Sequence, residues 1–187
     1  MLNIKYIQFL HVMAEIEASF GGADKLLFWR RQELKNLGIH YGDPIWIGRH
    51  LKILRRSNIV LGNRVALPYN TQLINYSPIK IGDDFIAASD LIINTGTHDP
   101  ITMNPSSKEI CIGNRVWCGV RVTILAGVTI GDDVVIGAGS LVNKDIPNNV
   151  IVAGVPARII RSLDRSAVSK IWSQATPKQK AQFWDEQ

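Results

Sequence analysis

The residue of this chain best suited to proton transfer is His98, in the segment Asn94-Thr-Gly-Thr-His-Asp-Pro. Histidine takes up and releases a proton near neutral pH, and a neighbouring carboxylate or backbone carbonyl usually fixes its tautomer. Asp99 follows directly in sequence and is a candidate for that orienting role or for binding a substrate. The other three histidines, His11, His40 and His50, lie in the first part of the chain. His98 is therefore the first candidate for a catalytic base.

The elements around His98 are indicated by a period of six residues. From position 112 to position 142 an aliphatic or small residue recurs at every sixth position: Ile112, Cys118, Ile124, Ile130, Ile136 and Val142. A helix repeats every ~3.6 residues and a strand every two, so this period indicates short strands joined by tight corners. Three such faces close a triangular coil, and stacked coils share a core that no single coil could bury. The predicted fold class is an all-β solenoid.

The same period continues upstream with changes of phase. It appears at Leu61, Leu67 and Leu73, at Ile81, Ala87 and Ile93, and more weakly at Ile47 and Ile53. We therefore predict about five coils between Ile45 and Pro156. The repeat is interrupted after Ile93 by a loop, roughly His98 to Ile110, and His98 is the only histidine at its edge.

The two ends of the chain differ from the solenoid. Mixed apolar and charged patterns predict an N-terminal helical extension over residues 1–40 and a C-terminal helical tail over residues 161–187, with the β-helix over residues 41–160. Such helices would cap the open ends of the solenoid, where exposed strand edges invite association.

Composition and charge narrow the classes of partner. The formal net charge is +5, and Arg49, Lys52, Arg55 and Arg56 form a basic entrance near the first coils. No basic motif interleaved with aromatic residues accompanies them, so nucleic-acid binding is not predicted. An ordinary solvated face and a site for an anionic cosubstrate or phosphate-bearing substrate remain as interpretations. The chain shows no secretory signal or spanning segment, which predicts a cytoplasmic protein, with peripheral contact at the inner membrane surface left open.

The two cysteines are predicted to be reduced residues in or near the core. Cys111 and Cys118 lie in or beside neighbouring repeats, and Cys118 occupies an inward position. A nucleophilic thiol would need exposure and an activating base, so a covalent role for Cys118 is disfavoured.

Four ordered motifs carry a resemblance to a known family. They are Ile112-Gly-Asn-Arg-Val-Trp-Cys-Gly, Val128-Thr-Ile-Gly-Asp-Asp-Val-Val-Ile-Gly-Ala-Gly-Ser-Leu-Val, Lys144-Asp-Ile-Pro-Asn-Asn-Val and Ala153-Gly-Val-Pro-Ala-Arg-Ile-Ile-Arg. Together they resemble the hexapeptide-repeat acyltransferases, most of all the galactoside and maltose O-acetyltransferase branch and its relatives that acetylate bacterial surface polysaccharides. The resemblance implies a left-handed parallel β-helix, acetyl-CoA as donor, no metal, and a homotrimer with active sites between subunits.

The resemblance also implies roles for individual residues. His98 matches the catalytic histidine, and Asn70 and Asn94 are candidates for contacting an acceptor sugar. The backbone at Gly119 would approach the thioester, and Trp117 would pack beside the pantetheine arm. The remaining residues expected at coenzyme A are Ala138, Gly139, Lys144, Arg158 and Arg161. Asn143 and Val120 depart from the family pattern, which bears on single hydrogen bonds to coenzyme A.

The expected function is transfer of an acetyl group from acetyl-CoA to a sugar hydroxyl, with His98 as general base in a ternary complex. A unit of a surface polysaccharide (capsule, exopolysaccharide or lipopolysaccharide) or its precursor is the favoured acceptor. A small acceptor such as a galactoside, amino sugar, serine or antibiotic is the alternative, as is a non-catalytic scaffold. A zinc hydratase on this fold would need three converging histidines, and the central coils offer His98 alone.

Overall fold

A computed structural model describes residue 32 and residues 34–43, 45–55 and 58–166. Most of the predicted N-terminal extension and C-terminal tail lies outside these ranges. Within them helix is confined to the short stretch before Leu37, and no described helix is long and apolar enough to cross a membrane.

The fold is a parallel β-solenoid with three sheets, which confirms the predicted fold class. Sheet A contains β1 (His40–Tyr41), β4 (Ile59–Leu61), β7 (Ile79–Ile81), β12 (Ile110–Ile112) and β15 (Thr129–Ile130). Sheet B contains β2 (Ile45–Ile47), β5 (Val65–Leu67), β8 (Ile86–Ala87), β13 (Trp117–Cys118), β16 (Val134–Ile136), β18 (Val150–Gly154) and β19 (Ala157–Ser162). Sheet C contains β3 (Lys52–Ile53), β6 (Gln72–Ile74), β9 (Ile92–Asn94), β14 (Thr123–Leu125) and β17 (Leu141–Val142).

Two pairings are antiparallel and depart from the coil. A hairpin of β10 (Gly96–His98) and β11 (Pro105–Ser107) projects between β9 and β12. At the C-terminal end β19 folds back along β18. The strands therefore continue to Ser162, beyond the predicted start of the helical tail.

The solenoid has about six turns, slightly more than the five predicted. Five turns contribute a strand to each sheet, and a sixth is formed by the bridge between Ile130 and Ile146 and by β18. The last repeat was hard to recognise in the sequence because it shortens and passes through Pro147.

Hydrogen bonds at the corner between sheets A and B show how the number of residues per turn changes along the solenoid. The backbone amide of Asn63 donates to Asp83, 20 residues on, and the amide of Asp83 donates to Asn114, 31 residues on, across the hairpin. The amide of Asn114 donates to Asp132 at a spacing of 18, and that of Asp132 to Asn148 at a spacing of 16. Asn and Asp thus satisfy the backbone of the coil before them, as expected for corner residues.

Every hexapeptide of the C-terminal coils buries two positions. All six residues of the predicted inward series, from Ile112 to Val142, are buried. A second buried set lies two residues earlier in each repeat and was not predicted: Ile110, Val116, Val122, Val128, Val134 and Ser140. Successive side chains of a strand point to opposite faces of the sheet. One face of six residues can therefore direct two side chains into the core.

Ion pairs run along the same corner, one residue further on. Arg64 makes a bidentate contact with Asp84, with Nε–Oδ1 at 2.6 Å, and Arg115 makes one with Asp133, with Nη2–Oδ2 at 2.7 Å. Arg165 brings the C-terminal segment back to Asp133 at 3.3 Å. Hydrogen bonding from Arg115 is the main cause that lowers the pKa of Asp133 below its ordinary value, against a partial desolvation that raises it.

Substitution of Ile130 by Ala should lower the free energy of unfolding by about 2–5 kcal/mol, because it removes packed atoms from a continuous core. The matched control is Thr129→Ala in the same strand, whose side chain is exposed and should change stability by under about 0.5 kcal/mol. Urea unfolding at one fixed protein concentration makes the comparison. Equal losses for the two variants would contradict the assigned inward and outward positions.

Substitution of Asp133 by Asn should destabilise the protein by about 1 kcal/mol at neutral pH. Because the folded-state pKa of Asp133 is lowered, its contribution is present above the unfolded pKa of about 3.9 and is lost as pH falls through the folded value. The difference between wild type and variant should therefore be constant above about pH 5 and shrink toward pH 3. Urea unfolding across this pH range measures the difference in stability. The control is Glu109→Gln, which removes one charge of the exposed pair with Lys80. A difference that persists unchanged at pH 3 would show that charge is not its cause.

Candidate active site

His98 lies at the end of a strand that projects from the solenoid. The chain leaves sheet C after Asn94, and β10 pairs with β11 so that Gly96 is opposite Ser107 and His98 is opposite Pro105. The imidazole is exposed. The predicted loop is thus a β-hairpin, and it ends before Ile110, which is already buried in sheet A.

The base of this hairpin is anchored to the coil below. The hydroxyl of the buried Thr95 accepts a hydrogen bond from the amide of Ser77 at 2.9 Å and donates to the carbonyl of Ile74 at 3.1 Å. The hydroxyls of Ser77 and Ser107 are 2.7 Å apart. Asn94 contributes as well, since its Oδ1 accepts the amide of Gly96 at 2.8 Å. His98 is therefore carried by a braced strand.

Asp99 is engaged in the turn of the hairpin. Its Oδ1 accepts hydrogen bonds from the amides of Ile101 at 3.0 Å and Thr102 at 2.7 Å, and from the Thr102 hydroxyl at 2.9 Å. These bonds, led by the Thr102 amide, lower the pKa of Asp99 below its ordinary value. Asp99 therefore stabilises the turn of the hairpin. Its orientation of His98, or its contact with an acceptor, stays a prediction.

Asn70 lies at a different corner, between sheets B and C. Its φ of 58° is in the left-handed region, and its Nδ2 donates to Asp90 Oδ1 of the next coil at 2.6 Å. This is the behaviour of a corner residue. The structure places Asn94 at the hairpin of His98 and leaves Asn70 away from it.

A backbone-lined strip follows the corner between sheets B and C in the last coils. The amide of Gly119 donates to the carbonyl of Ile136 at 2.8 Å, and the amide of Gly139 to that of Val120 at 2.7 Å. A Cβ on Gly119 would lie 2.6 Å from the Ala138 nitrogen, so this close approach of two coils requires glycine. A Cβ at Gly139 would meet no heavy atom within 4 Å, which means that open space adjoins the strip. The structure thus brings Gly119, Ala138 and Gly139 together, and their contact with coenzyme A stays a prediction.

Trp117 lies beside this strip on the outer face of sheet B. It is 52% exposed and is flanked in register by Ile86 and Val135 of the neighbouring strands. Its indole is therefore not part of the solenoid core.

The predicted basic residues lie in the last turns of the solenoid but not at one corner. Arg158 is near the corner from sheet B to sheet C, Arg161 lies further along β19 toward the corner with sheet A, and Lys144 lies at the corner from sheet C to sheet A. Arg158 and Arg161 are exposed on β19, where they pair in register with Ala153 and Ile151, and Lys144 is exposed after β17. Across the part of the chain that the structure describes, none of these three has a carboxylate within salt-bridge distance. Their charges are available to an anionic ligand.

Ser140 supports this end of the site and was missed from the sequence. Its buried hydroxyl donates to the carbonyl of Gly137 at 2.6 Å and accepts the amide of Gly154 at 3.2 Å, which fixes the turn that leads into β19. The available signal was a polar residue at an inward position where other repeats have Ile or Val.

Cys118 is fully buried, and burial raises the pKa of its thiol to about 12. The thiol is therefore protonated and shielded at neutral pH, in agreement with the prediction of a reduced core residue. Cys111 is half-buried and also unpaired with another cysteine. Among the described residues no three His, Cys, Asp or Glu gather in a group that could hold a metal ion.

His98 and the strip at Gly119 lie at opposite edges of sheet C. The hairpin follows β9 at the corner toward sheet A, whereas Gly119 and Gly139 precede β14 and β17 at the corner from sheet B. A face of six residues spans about 20 Å. One chain therefore holds the candidate base and the candidate donor strip apart.

Comparison with known proteins places the chain in a family. Residues 112–144 match the model "Bacterial transferase hexapeptide (six repeats)". Over 140 residues the chain is 38% identical to the galactoside O-acetyltransferase of Escherichia coli, with 72% of this chain and 69% of that protein covered. It is 33% identical over 144 residues to WbbJ of Escherichia coli, with 69% of this chain and 72% of that protein covered. WbbJ carries the name of a lipopolysaccharide biosynthesis O-acetyl transferase.

A solved structure agrees with these relatives. It is a hexapeptide-repeat-containing acetyltransferase from Vibrio cholerae in complex with acetyl coenzyme A, at a TM-score of 0.68 and 27% identity, with 86% of this chain and 89% of that chain covered. Since the repeats, the sheet topology and both relatives agree, this chain belongs to the hexapeptide-repeat acyltransferases, in the group that includes galactoside O-acetyltransferase.

Proposed function

We propose that this protein transfers the acetyl group of acetyl-CoA to a sugar hydroxyl, with His98 as the general base. The observation that carries the proposal is the exposed imidazole at the end of an anchored hairpin, on a solenoid whose last turns also present a strip of glycine backbone and basic side chains without ion-pair partners. The names of the relatives, galactoside O-acetyltransferase among them, support the reaction class.

The donor strip has the properties that coenzyme A requires. Pantetheine fits a narrow groove lined by backbone, and open space adjoins the backbone at Gly139. Arg158, Arg161 and Lys144 would bind its phosphates through charge-assisted hydrogen bonds. The similar Vibrio cholerae structure contains acetyl coenzyme A.

The transfer needs a base because an alcohol is a poor nucleophile at neutral pH. His98 removes the proton of the acceptor hydroxyl as its oxygen attacks the thioester carbonyl. Backbone amides near Gly119 stabilise the oxyanion, and the C–S bond breaks to release the thiolate of CoA. The proton held by His98 then passes to the thiolate, directly or through solvent, which restores the base. No acyl-enzyme is needed, and the buried, protonated Cys118 is unsuited to form one.

The complete site is proposed to form between subunits of a homotrimer. Sheet C separates His98 and Gly119 within one chain, which supports a site in which a neighbouring chain brings its donor strip to the hairpin. Trp46 and Trp117, each about half exposed on the outer face of sheet B, provide apolar surface for such an assembly.

The favoured acceptor is a sugar of a surface polysaccharide unit or of its lipid-linked precursor. The similarity to WbbJ supports this acceptor, and the lipid-linked form would place the enzyme in the cytoplasm at the inner membrane surface. The similarity to galactoside O-acetyltransferase supports a free galactoside as the second candidate.

Substitution of His98 by Asn should lower the acceptor-dependent release of CoA thiol by roughly 10²-fold or more, because the general base is lost. The panel of acceptors contains galactosides, maltose and polysaccharide repeat units. His40→Asn is the matched control, since His40 is also exposed but lies in β1 at the far end of the solenoid, and it should retain wild-type turnover. Turnover of His98→Asn equal to that of His40→Asn would contradict the proposed base.

A further inference from the structure

Arg55 and Tyr76 stack at the corner between sheets C and A, near the hairpin of His98. The guanidinium carbon of Arg55 lies 5.0 Å from the centroid of the Tyr76 ring, which is 46% exposed. The backbone of Arg55 is held on both sides by the buried Asn75: its amide donates to Oδ1 at 2.9 Å, and its carbonyl accepts from Nδ2 at 3.0 Å. The backbone of Arg55 is therefore fixed, and its guanidinium lies over an aromatic ring on the exposed surface.

The ring of Tyr76 connects Arg55 to the strand that carries His98. A Cβ on Gly96 would lie 2.7 Å from Cδ2 of Tyr76, so the absence of a side chain at Gly96 makes room for the ring. His98 follows two residues later in β10, and residues i and i+2 of a strand point to the same face, about 7 Å apart. The face of the hairpin that contacts Tyr76 is thus the face that presents the imidazole.

Apart from Arg49, the arginines of the described residues fall into two groups. Arg64, Arg115, Arg121 and Arg165 each lie within 4 Å of an aspartate in the coils. Arg55, like the proposed phosphate-binding Arg158 and Arg161, has no carboxylate at that distance within the described ranges. An arginine that stacks on an aromatic ring and has no carboxylate partner can use the N–H donors of its guanidinium to bind a carboxylate or phosphate.

We propose that Arg55 binds an anionic group of the acceptor, and that the substrate is therefore a sugar bearing a phosphate ester or a carboxylate. Tyr76 is a positioning residue that holds the guanidinium on the His98 side of the corner. An acceptor anchored in this way directs a hydroxyl toward the imidazole. The inference rests on the proposed function, since it assigns a substrate class to the same site.

The test is the affinity of the wild-type protein for matched sugars at fixed ionic strength, measured by titration calorimetry in the presence of CoA. The probes are galactose, galactose 1-phosphate and galacturonic acid, and the corresponding glucose set, so that the phosphate and carboxylate forms are compared separately. At least one charged sugar should bind about tenfold or more tightly than its neutral parent. Arg55→Gln should reduce this preference to within about twofold, whereas Lys52→Gln, which removes an exposed charge from the same coil, should retain it.

Variants of Tyr76 test positioning. Tyr76→Phe keeps an aromatic ring under the guanidinium and should preserve the preference, and Tyr76→Leu should weaken it. The inference is overturned if the wild type binds no charged sugar more tightly than the neutral one, or if Arg55→Gln keeps the preference. A preference that depends on Arg55, together with no acceptor-dependent release of CoA thiol, would uphold the anion site and refute the proposed acetyl transfer.

Discussion

The structure depends on the stacking of coils in register. A single coil buries almost nothing, and its backbone groups are satisfied only when the next coil is aligned with it. Amides at the corner between sheets A and B donate to Asn and Asp side chains one coil further on, and the two inward positions of each repeat form one core. A displaced coil would lose its corner hydrogen bonds and its packing in the core together. The positions of the corner side chains therefore depend on the register of the coils.

The candidate site is a consequence of this stacking. Gly119 and Ala138 approach closely because their coils are in register, and the lack of a side chain at Gly139 opens the space beside them. The hairpin emerges where the chain inserts extra residues between β9 and β12, and hydroxyls of Thr95, Ser77 and Ser107 anchor it to the same framework. The solenoid framework therefore holds the hairpin, and with it the proposed base His98, at a defined place.

Much of the fold could be predicted because its period is unlike that of a helix or an isolated strand. The inward series from Ile112 to Val142 and the interruption that carries His98 followed from residue spacing. Side-chain hydrogen bonding was not predictable in this way: Asp99 holds the hairpin turn, Asn70 bonds to Asp90, and Ser140 fixes the turn before β19. The sixth turn was missed because its repeat is shorter than the others, and sequence spacing alone did not reveal that sheet C separates His98 from Gly119.

The central claim is that the base of one chain works with the donor strip of another, and mixing of subunits tests it most directly. His98→Asn lacks the base, and Ala138→Trp would fill the exposed strip beside Gly139. Each variant alone should be inactive in acceptor-dependent release of CoA thiol. Trimers assembled from equal amounts of both should recover about a quarter of wild-type activity, since about one interface in four then combines an intact hairpin with an intact strip. No recovery in mixed trimers would show that each chain uses its own residues and would contradict the account.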